Sequence, residues 1–513
     1  MIKIRINNYF ATLFFVCIVF FLHAQQLETE NLGANINSKY SELNPIISAD
    51  GKTLYFIRSN HPENIKGDSD SQDIWYSTKD EQGIWQPAKH ADVYLNRQDY
   101  NTLFNVSSDG NKMLISGPYS DGINSRIGYS FLTRNGNVWN DPQFLHIKKW
   151  ESRFKGLYSS ACMAFDNKTL IISFSEKEES PINDLYVSFL QPNGRWSEPT
   201  SLGDTVNTKD DETTPFLAAD GISLYFSSNR KGGLGSNDIY LSKRLDNTWR
   251  KWSKPINLGA PINTKDWDAY YTIPASGDLA YLVSYQNSLG KGDIVRVKTK
   301  SITKPKPVIL IKGKVLDAKT NLPVEAEITY EILPSGEKIG VADFISKNGD
   351  YVLVLPYGKD YGITAKAIGY IPISLHYDLT IEDKYKEIRK DLMLVPFEKG
   401  SVIRLNNLFF DSGKATLKKE SYPEIERLIQ LLKDNADVEI EIAGHTDDVG
   451  SNDDNLILSG NRSAAVKEYI VSKGIKEGRI NCRGYGEYKS IVKNDTEENR
   501  QLNRRVEFKI ITK

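Results

Sequence analysis

A repeated pattern of turn and aromatic residues governs the first three hundred positions, and a chain repeated in this way can fold in few ways. The clearest copy reads Ala219-Asp220-Gly221, Leu224-Tyr225-Phe226-Ser227-Ser228-Asn229-Arg230, Asp238-Ile239-Tyr240, Trp252, Pro255, Leu258-Gly259. Earlier copies carry Asp50-Gly51, Leu54-Tyr55-Phe56, Asp73-Ile74-Trp75, Trp85 and Pro87; then Asp109-Gly110, a degenerate Ile127-Gly128-Tyr129, Trp139 and Pro142; then Asp166-Asn167, Asp184-Leu185-Tyr186, Trp196 and Pro199. A last copy has Ser276-Gly277 and Asp293-Ile294-Val295 and stops. Asp-Gly between alternating apolar runs marks a hairpin, because glycine reaches positive φ without steric cost. The period of roughly 55 residues suits a four-stranded sheet with its loops. Units of this kind bury their faces only by stacking on neighbours.

These copies resemble the β-propeller units of TolB-like and WD-type families. The resemblance implies a propeller over residues 25–300, with five blades, or alternatively six. The last copy lacks the outer Trp…Pro…Leu-Gly segment, and Leu32-Gly33…Ile36-Asn37 near the N-terminus matches Leu202-Gly203…Val206-Asn207 and Leu258-Gly259…Ile262-Asn263. The N-terminus is therefore expected to complete the last blade and remove the exposed sheet edges. Lys304-Pro305-Lys306-Pro307 makes 301–307 a stiff, charged linker. Short strands follow over 308–396, among them Ile311–Val315 and Asp350–Leu355, with Asn348-Gly349 as a turn. This stretch resembles the carboxypeptidase regulatory-like, transthyretin-like β-sandwich, which implies a spacer or docking surface without chemistry of its own.

Beyond it the periodicity changes. Val402–Phe410 reads as a strand. Ser421 and Glu424 have the spacing of a capping box before Ile425, Leu428, Ile429 and Leu432 at helical intervals. Val438–Ala443 alternates as a strand, a second helix runs from about Asp454 to Lys473, and Gly474 stands at its C′ stop. Strands Ile480–Tyr485 and Val506–Ile511 close the pattern. Between the second strand and second helix lies Gly444-His445-Thr446-Asp447-Asp448-Val449-Gly450, followed by Asn455, Leu458-Ser459 and Arg462. With Asn503-Arg504-Arg505-Val506-Glu507-Phe508, this resembles the OmpA-like peptidoglycan-binding domain over 399–513.

The resemblance implies a zwitterionic ligand, the diaminopimelate of a peptidoglycan stem peptide. Asp447 would take its ammonium, and Arg462 would fork onto its carboxylate through two charge-assisted bonds. Thr446 and Asn455 would add neutral hydrogen bonds, and Arg504 or Arg505 a positive field. Outside such a motif, Asp447 and Arg462 would read as an ordinary surface ion pair worth little. Two positions depart from the family pattern: Asp454 replaces the usual aromatic before Asn455, and Gly413 follows Asp411-Ser412. His445 is expected to support the turn by bonding its backbone.

Composition narrows the alternatives. A net charge of −1 over 513 residues favours neither nucleic acid nor an anionic surface. Lys3 and Arg5, the apolar run Tyr9–Leu22 and Ala24 read as a signal peptide over 1–24, with an uncleaved anchor as the alternative. No transmembrane span is expected in the mature chain, and Cys162 and Cys482 fall in different domains. The six histidines are scattered; no metal site, cofactor or catalytic constellation is read. The expectation is thus a multidomain, mainly β, non-enzymatic scaffold, exported to the periplasm and associated with the outer membrane. It would grip peptidoglycan through its α/β C-terminal domain and engage envelope proteins through its propeller. The alternatives are a wall-active hydrolase or a periplasmic ligand sensor with its site on the propeller.

Overall fold

The computed structural model describes residues 28–513 except 70, 98–99, 109, 118–127, 136–137, 287, 343–347 and 412. The leader reading over 1–24 and the turn residue Asp109 lie outside the described residues. The chain is multidomain and mainly β, with few helices. Among the described residues, no helix is long and apolar enough to cross a membrane.

Five antiparallel sheets follow one another along the first three hundred residues. The fourth is typical: Glu212–Leu217, Ser223–Ser228, Asp238–Lys243 and Ile256–Asn257 pair in chain order. Separate apolar clusters fill the space between successive sheets, and Ile36, Phe56, Trp85, Tyr281 and Ile294 pack the fifth against the first. The sheets therefore form a closed ring. The fifth sheet takes its outer strand from the chain start, where Glu30 lies opposite Arg296 and Asn31 opposite Val295.

A buried asparagine holds each junction but one. Asn207 Nδ2 donates to Leu185 O at 2.9 Å, and its Oδ1 accepts from Leu185 N at 2.8 Å. Asn263 does the same to Ile239, Asn96 to Ile74, and Asn37 to Ile294, 257 positions away. Each amide gives the N–H of a ladder-end residue its acceptor and adds a second donor to that residue's carbonyl, which also accepts a backbone N–H from the residue just past the outer strand. Three junctions add a buried acid beneath the same loop. Glu42 accepts from Ser38, Glu212 from Thr208 and Asp268 from Thr264, each through backbone and hydroxyl.

The next unit has two sheets. Val308–Asp317 lies between Asp350–Pro356 and the parallel strands Lys386–Arg389 and Leu392–Pro396, which continue to Tyr370–Ile371. Facing it are Glu337–Ala342, Glu327–Ile332, Lys359–Lys366 and Ile373–Leu379. Ile311, Val315, Ile328, Tyr330, Tyr351 and Ile363 fill the shared core.

The hairpin turns of the repeat meet this unit. Ala49, Ala219 and Ala275, beside those turns, pack on Val308, Leu310 and Val354. Tyr330 Oη donates to Phe165 O at 3.2 Å. Residues 301–307 lie against the ring: the buried Tyr225 hydroxyl donates to Thr303 O at 2.5 Å, and Lys306 N donates to Asp220 Oδ2 at 2.9 Å.

The C-terminal unit comprises β1 (Val402–Arg404), α1 (Tyr422–Asp434), β2 (Glu439–Gly444), α2 (Asn452–Ser472), β3 (Ile480–Gly484), α3 (Glu497–Asn503) and β4 (Val506–Thr512). The sheet order is β1-β4-β2-β3, with β2 and β3 parallel. Two local expectations change. The first strand ends at Arg404, because Asn406 turns away to donate to Ser374 O at 2.5 Å. No capping box forms at α1: Ser421 Oγ bonds both backbone groups of Phe409, and Glu424 is drawn to Ser374 Oγ at 2.6 Å and Arg427 Nη2 at 2.5 Å. Arg427 also reaches Glu331 at 2.5 Å. Ile371 of the two-sheet unit belongs to the same core as Ile403, Ile425, Ile442 and Phe508.

Two predictions follow from these contacts. Burial, with Asp238 and Asp266 nearby, raises the Asp268 carboxyl to about 6, above its ordinary 3.8. The folded state then holds more protons than the unfolded state across that window, so this group makes stability fall as pH rises from about 4 to 6. Asp268→Asn, which keeps an acceptor for Thr264 N, should flatten that part of the stability–pH profile in denaturant titrations. Arg427→Ala leaves Glu331 and Glu424 without their cation and should destabilise the chain by about 2–5 kcal/mol in urea unfolding.

Candidate functional site

The turn 444–450 sits where β2 ends and α2 begins, and close backbone approach sets its position. A Cβ on Gly444 would lie 2.1 Å from Ser459 O, and one on Gly484 would lie 2.4 Å from Gly460 N. Glycine at the ends of the two parallel strands thus lets α2 lie directly on the sheet. Ser451 caps α2 by accepting from Asp454 N at 3.1 Å, and its Oγ donates to Asp454 Oδ2 at 2.7 Å. Asp454, at the position where the family pattern has an aromatic, is therefore part of the cap.

The five residues singled out from the sequence gather around this turn with distinct partners. Asn455 is 4 % exposed; its Nδ2 donates to Asp447 O at 3.2 Å and to Glu487 Oε2 at 2.9 Å. Thr446 donates its backbone N–H to Gly486 O at 3.0 Å, while its buried hydroxyl has no partner among the described residues. Asp447, 7 % exposed, accepts from Val449 N at 3.2 Å and pairs with Arg504 Nη1 at 2.5 Å. The ion pair of Asp447 is thus with Arg504 and not with Arg462. Arg504 also donates to Glu497 Oε1 at 2.6 Å and to Gln501 Oε1 at 3.1 Å.

Arg462 stands apart from that pair. Its Nε donates to Lys414 O at 3.1 Å, and its guanidinium lies 5.1 Å from the Phe410 ring centroid. The two terminal nitrogens have no hydrogen-bond partner among the described residues. Burial lowers its pKa, Asp447 opposes that effect, and Arg504 adds to it. Arg462 lines a cavity of about 110 Å³ with Arg404, Arg504, Arg505, Phe410 and His376, the last contributed by the two-sheet unit. This wall is strongly cationic and suits a carboxylate.

His445 corrects one expectation. Among the described residues its ring nitrogens make no hydrogen bond, with Nε2 3.6 Å from Glu507 Oε2, and the ring stacks on Tyr485 at 5.3 Å. Only its backbone serves the turn, donating to Arg505 O at 2.9 Å. Arg505 is committed to Glu507 at 2.6 Å and Lys489 O at 3.0 Å. Burial opposes charge on Glu507, yet His445 and Arg505 hold its carboxyl down to about 2. Sequence reasoning missed Glu487, Arg404 and His376. It also missed α3, whose signal was available in Thr496, the cap that accepts from Asn499 N at 3.1 Å.

The site thus lies on a small α/β domain with a mixed four-stranded sheet. Residues 409–504 match the OmpA family. Over 113 residues the chain is 38% identical to outer membrane porin F of Pseudomonas aeruginosa, covering 22% of this chain and 32% of that protein. Over 104 residues it is 43% identical to outer membrane protein A of Bordetella avium, covering 20% and 53%. Over 99 residues it is 35% identical to the peptidoglycan-binding protein ArfA of Mycobacterium bovis, covering 19% and 30%. The chain spans between about a third and a half of the length of these curated relatives. The C-terminal unit is therefore an OmpA-family domain joined to a larger β assembly.

The glycine contacts generate a prediction for this site. Gly444→Ala would drive a methyl group into the backbone at Ser459 and should cost about 1–3 kcal/mol or more, read from the urea midpoint.

Proposed function

We propose that this chain is a non-enzymatic protein of the cell envelope that binds peptidoglycan non-covalently through its OmpA-family domain. The single observation that carries this reading is Arg462, half-buried on a cationic wall with its terminal nitrogens uncommitted among the described residues. The family match and the similarity to a mycobacterial peptidoglycan-binding protein support it. The ligand is the zwitterionic end of a diaminopimelate stem peptide. Its carboxylate docks on Arg462. Its ammonium takes Asp447, and Arg504 gives way toward Glu497 and Gln501, which it already touches. Asn455 holds the backbone carbonyl of Asp447, and the Thr446 hydroxyl is available to the ligand.

The ring is read as a five-bladed β-propeller and the two-sheet unit as a carboxypeptidase regulatory-like sandwich. Both act as docking modules for envelope partners in the periplasm, at the outer membrane. The repeat pattern and the closing strand at Glu30–Asn31 support the first assignment.

Co-sedimentation of the full chain with purified diaminopimelate-type sacculi tests the wall-binding reading. Wild type should pellet, and Asp447→Ala and Arg462→Ala should each weaken binding by about 10- to 100-fold, the range for hydrogen bonds to charged groups. Equal pelleting of both folded variants would instead make this domain a protein-interaction module.

A further inference from the structure

The inner strands of four sheets and the segment 270–272 beside the fifth enclose a cavity of about 420 Å³, within the span of roughly 300–1,000 Å³ usual for small-molecule sites. Asn44, Phe104, Ser160 and Thr214 each come from the inner strand of a different sheet, and Thr272 bridges to Tyr281 on the inner edge of the fifth. The turns beside Ala49, Phe165, Ala219 and Ala275 pack on the two-sheet unit, so the cavity opens on the opposite face. The exposed side chain of Tyr158 stands at its mouth.

Three features of the wall define what would fit. The first is unanswered hydrogen-bonding capacity. Asn183, Tyr271 and Thr272 are 2 %, 3 % and 1 % exposed, and Asn183 Oδ1, the Tyr271 hydroxyl and Thr272 Oγ1 have no hydrogen-bond partner among the described residues. The Thr214 hydroxyl is in the same condition. Native proteins rarely leave such groups unsatisfied. The second feature is aromatic surface: Phe104, Tyr158, Phe216, Trp267 and Tyr270 present flat rings, with Trp267 and Tyr270 edge-to-face at 5.3 Å. The third is the near absence of charge. Asp211 is the only ionisable acid and no lysine or arginine occurs among the described residues that line the cavity. One oxygen of Asp211 is already used, accepting from Asn183 N at 2.8 Å.

Among the described lining residues an anion would find no countercharge, and a single, partly committed carboxylate is a poor cation site. A purely apolar guest would leave the buried hydroxyls and amide as they are. A ring compound with a hydroxylated edge and an apolar C–H face meets both needs. With one acid in the wall, the paired carboxylates of glycoside hydrolysis are missing from the described lining residues, so the geometry favours capture over cleavage.

We propose that the central cavity of the ring binds a short neutral saccharide, stacked against the Trp267 and Tyr158 rings with its hydroxyls directed at Asn183, Thr214 and Thr272. This site is separate from the C-terminal one and does not rest on it.

The test titrates the full chain with neutral disaccharides (cellobiose, maltose and N,N′-diacetylchitobiose) and with one neutral tripeptide, N-acetyl-trialanine amide. Tryptophan fluorescence and the thermal midpoint are followed. At least one disaccharide should give a saturable fluorescence change and a rise in midpoint. Trp267→Ala and Tyr158→Ala should weaken that binding about fivefold or more, while co-sedimentation with sacculi stays as in wild type. Tyr158 is exposed and makes no hydrogen bond among the described residues, so its variant decides the matter if Trp267→Ala fails to fold. The proposal is overturned if no disaccharide saturates by about 10 mM, if the tripeptide binds and the sugars do not, or if the folded variants bind as wild type does.

Discussion

Four asparagine amides carry order from one sheet of the ring to the next. Each lies in the segment that leaves a sheet's outer strand and enters the inner strand of its successor. Each bonds both backbone groups of a residue in the strand it has just passed. Without that amide, a buried N–H at the end of each of these four ladders would lose its acceptor, while the carbonyl of the same residue would keep the backbone N–H it also accepts. The buried acids beneath three of these loops fix the path into the next strand in the same way. Asn37 makes the pair that joins the chain start to the fifth sheet, so ring closure uses the contact that built the other junctions. The passage from second to third sheet is the exception, and there the short helix Trp150–Arg153 packs Trp150 among Tyr129, Phe174 and Ile147 instead.

Much of this arrangement was legible in the sequence because it repeats. The Asp-Gly turns, the tryptophans and the Leu-Gly…Asn segment recur, and Ile36-Asn37 could be matched to Val206-Asn207 and Ile262-Asn263. What those asparagines do was not legible, since a polar residue in a loop carries no sign that its amide is buried against a strand. The first two helices of the C-terminal domain were readable within a residue or two from apolar spacing and from Gly474. The first turn of its first helix was misread, because Ser421 and Glu424 have capping-box spacing but find better partners at distant positions. Local sequence rules fail where a tertiary contact outbids the local one, and Ser374 lies 50 positions from Glu424.

The candidate site shows the same division. Its members could be named from the motif, but their pairing could not. Asp447 and Arg462 look like natural partners in sequence, yet Arg504, held at the end of a helix that sequence reading missed, takes the carboxylate. This leaves Arg462 on the cationic wall with Arg404 and Arg505. The contribution of His376 to that wall comes from another unit, and no motif within the domain could have announced it.

The junctions between units have a mechanical meaning. Residues 301–307 are fastened to the ring through Tyr225 and Asp220, and the C-terminal domain shares Ile371 and the Glu331–Arg427–Glu424 pairs with the unit before it. No slack connector separates these three bodies. A load applied at the C-terminal domain would reach the ring as through a strut, with little of the extension that a flexible tether absorbs.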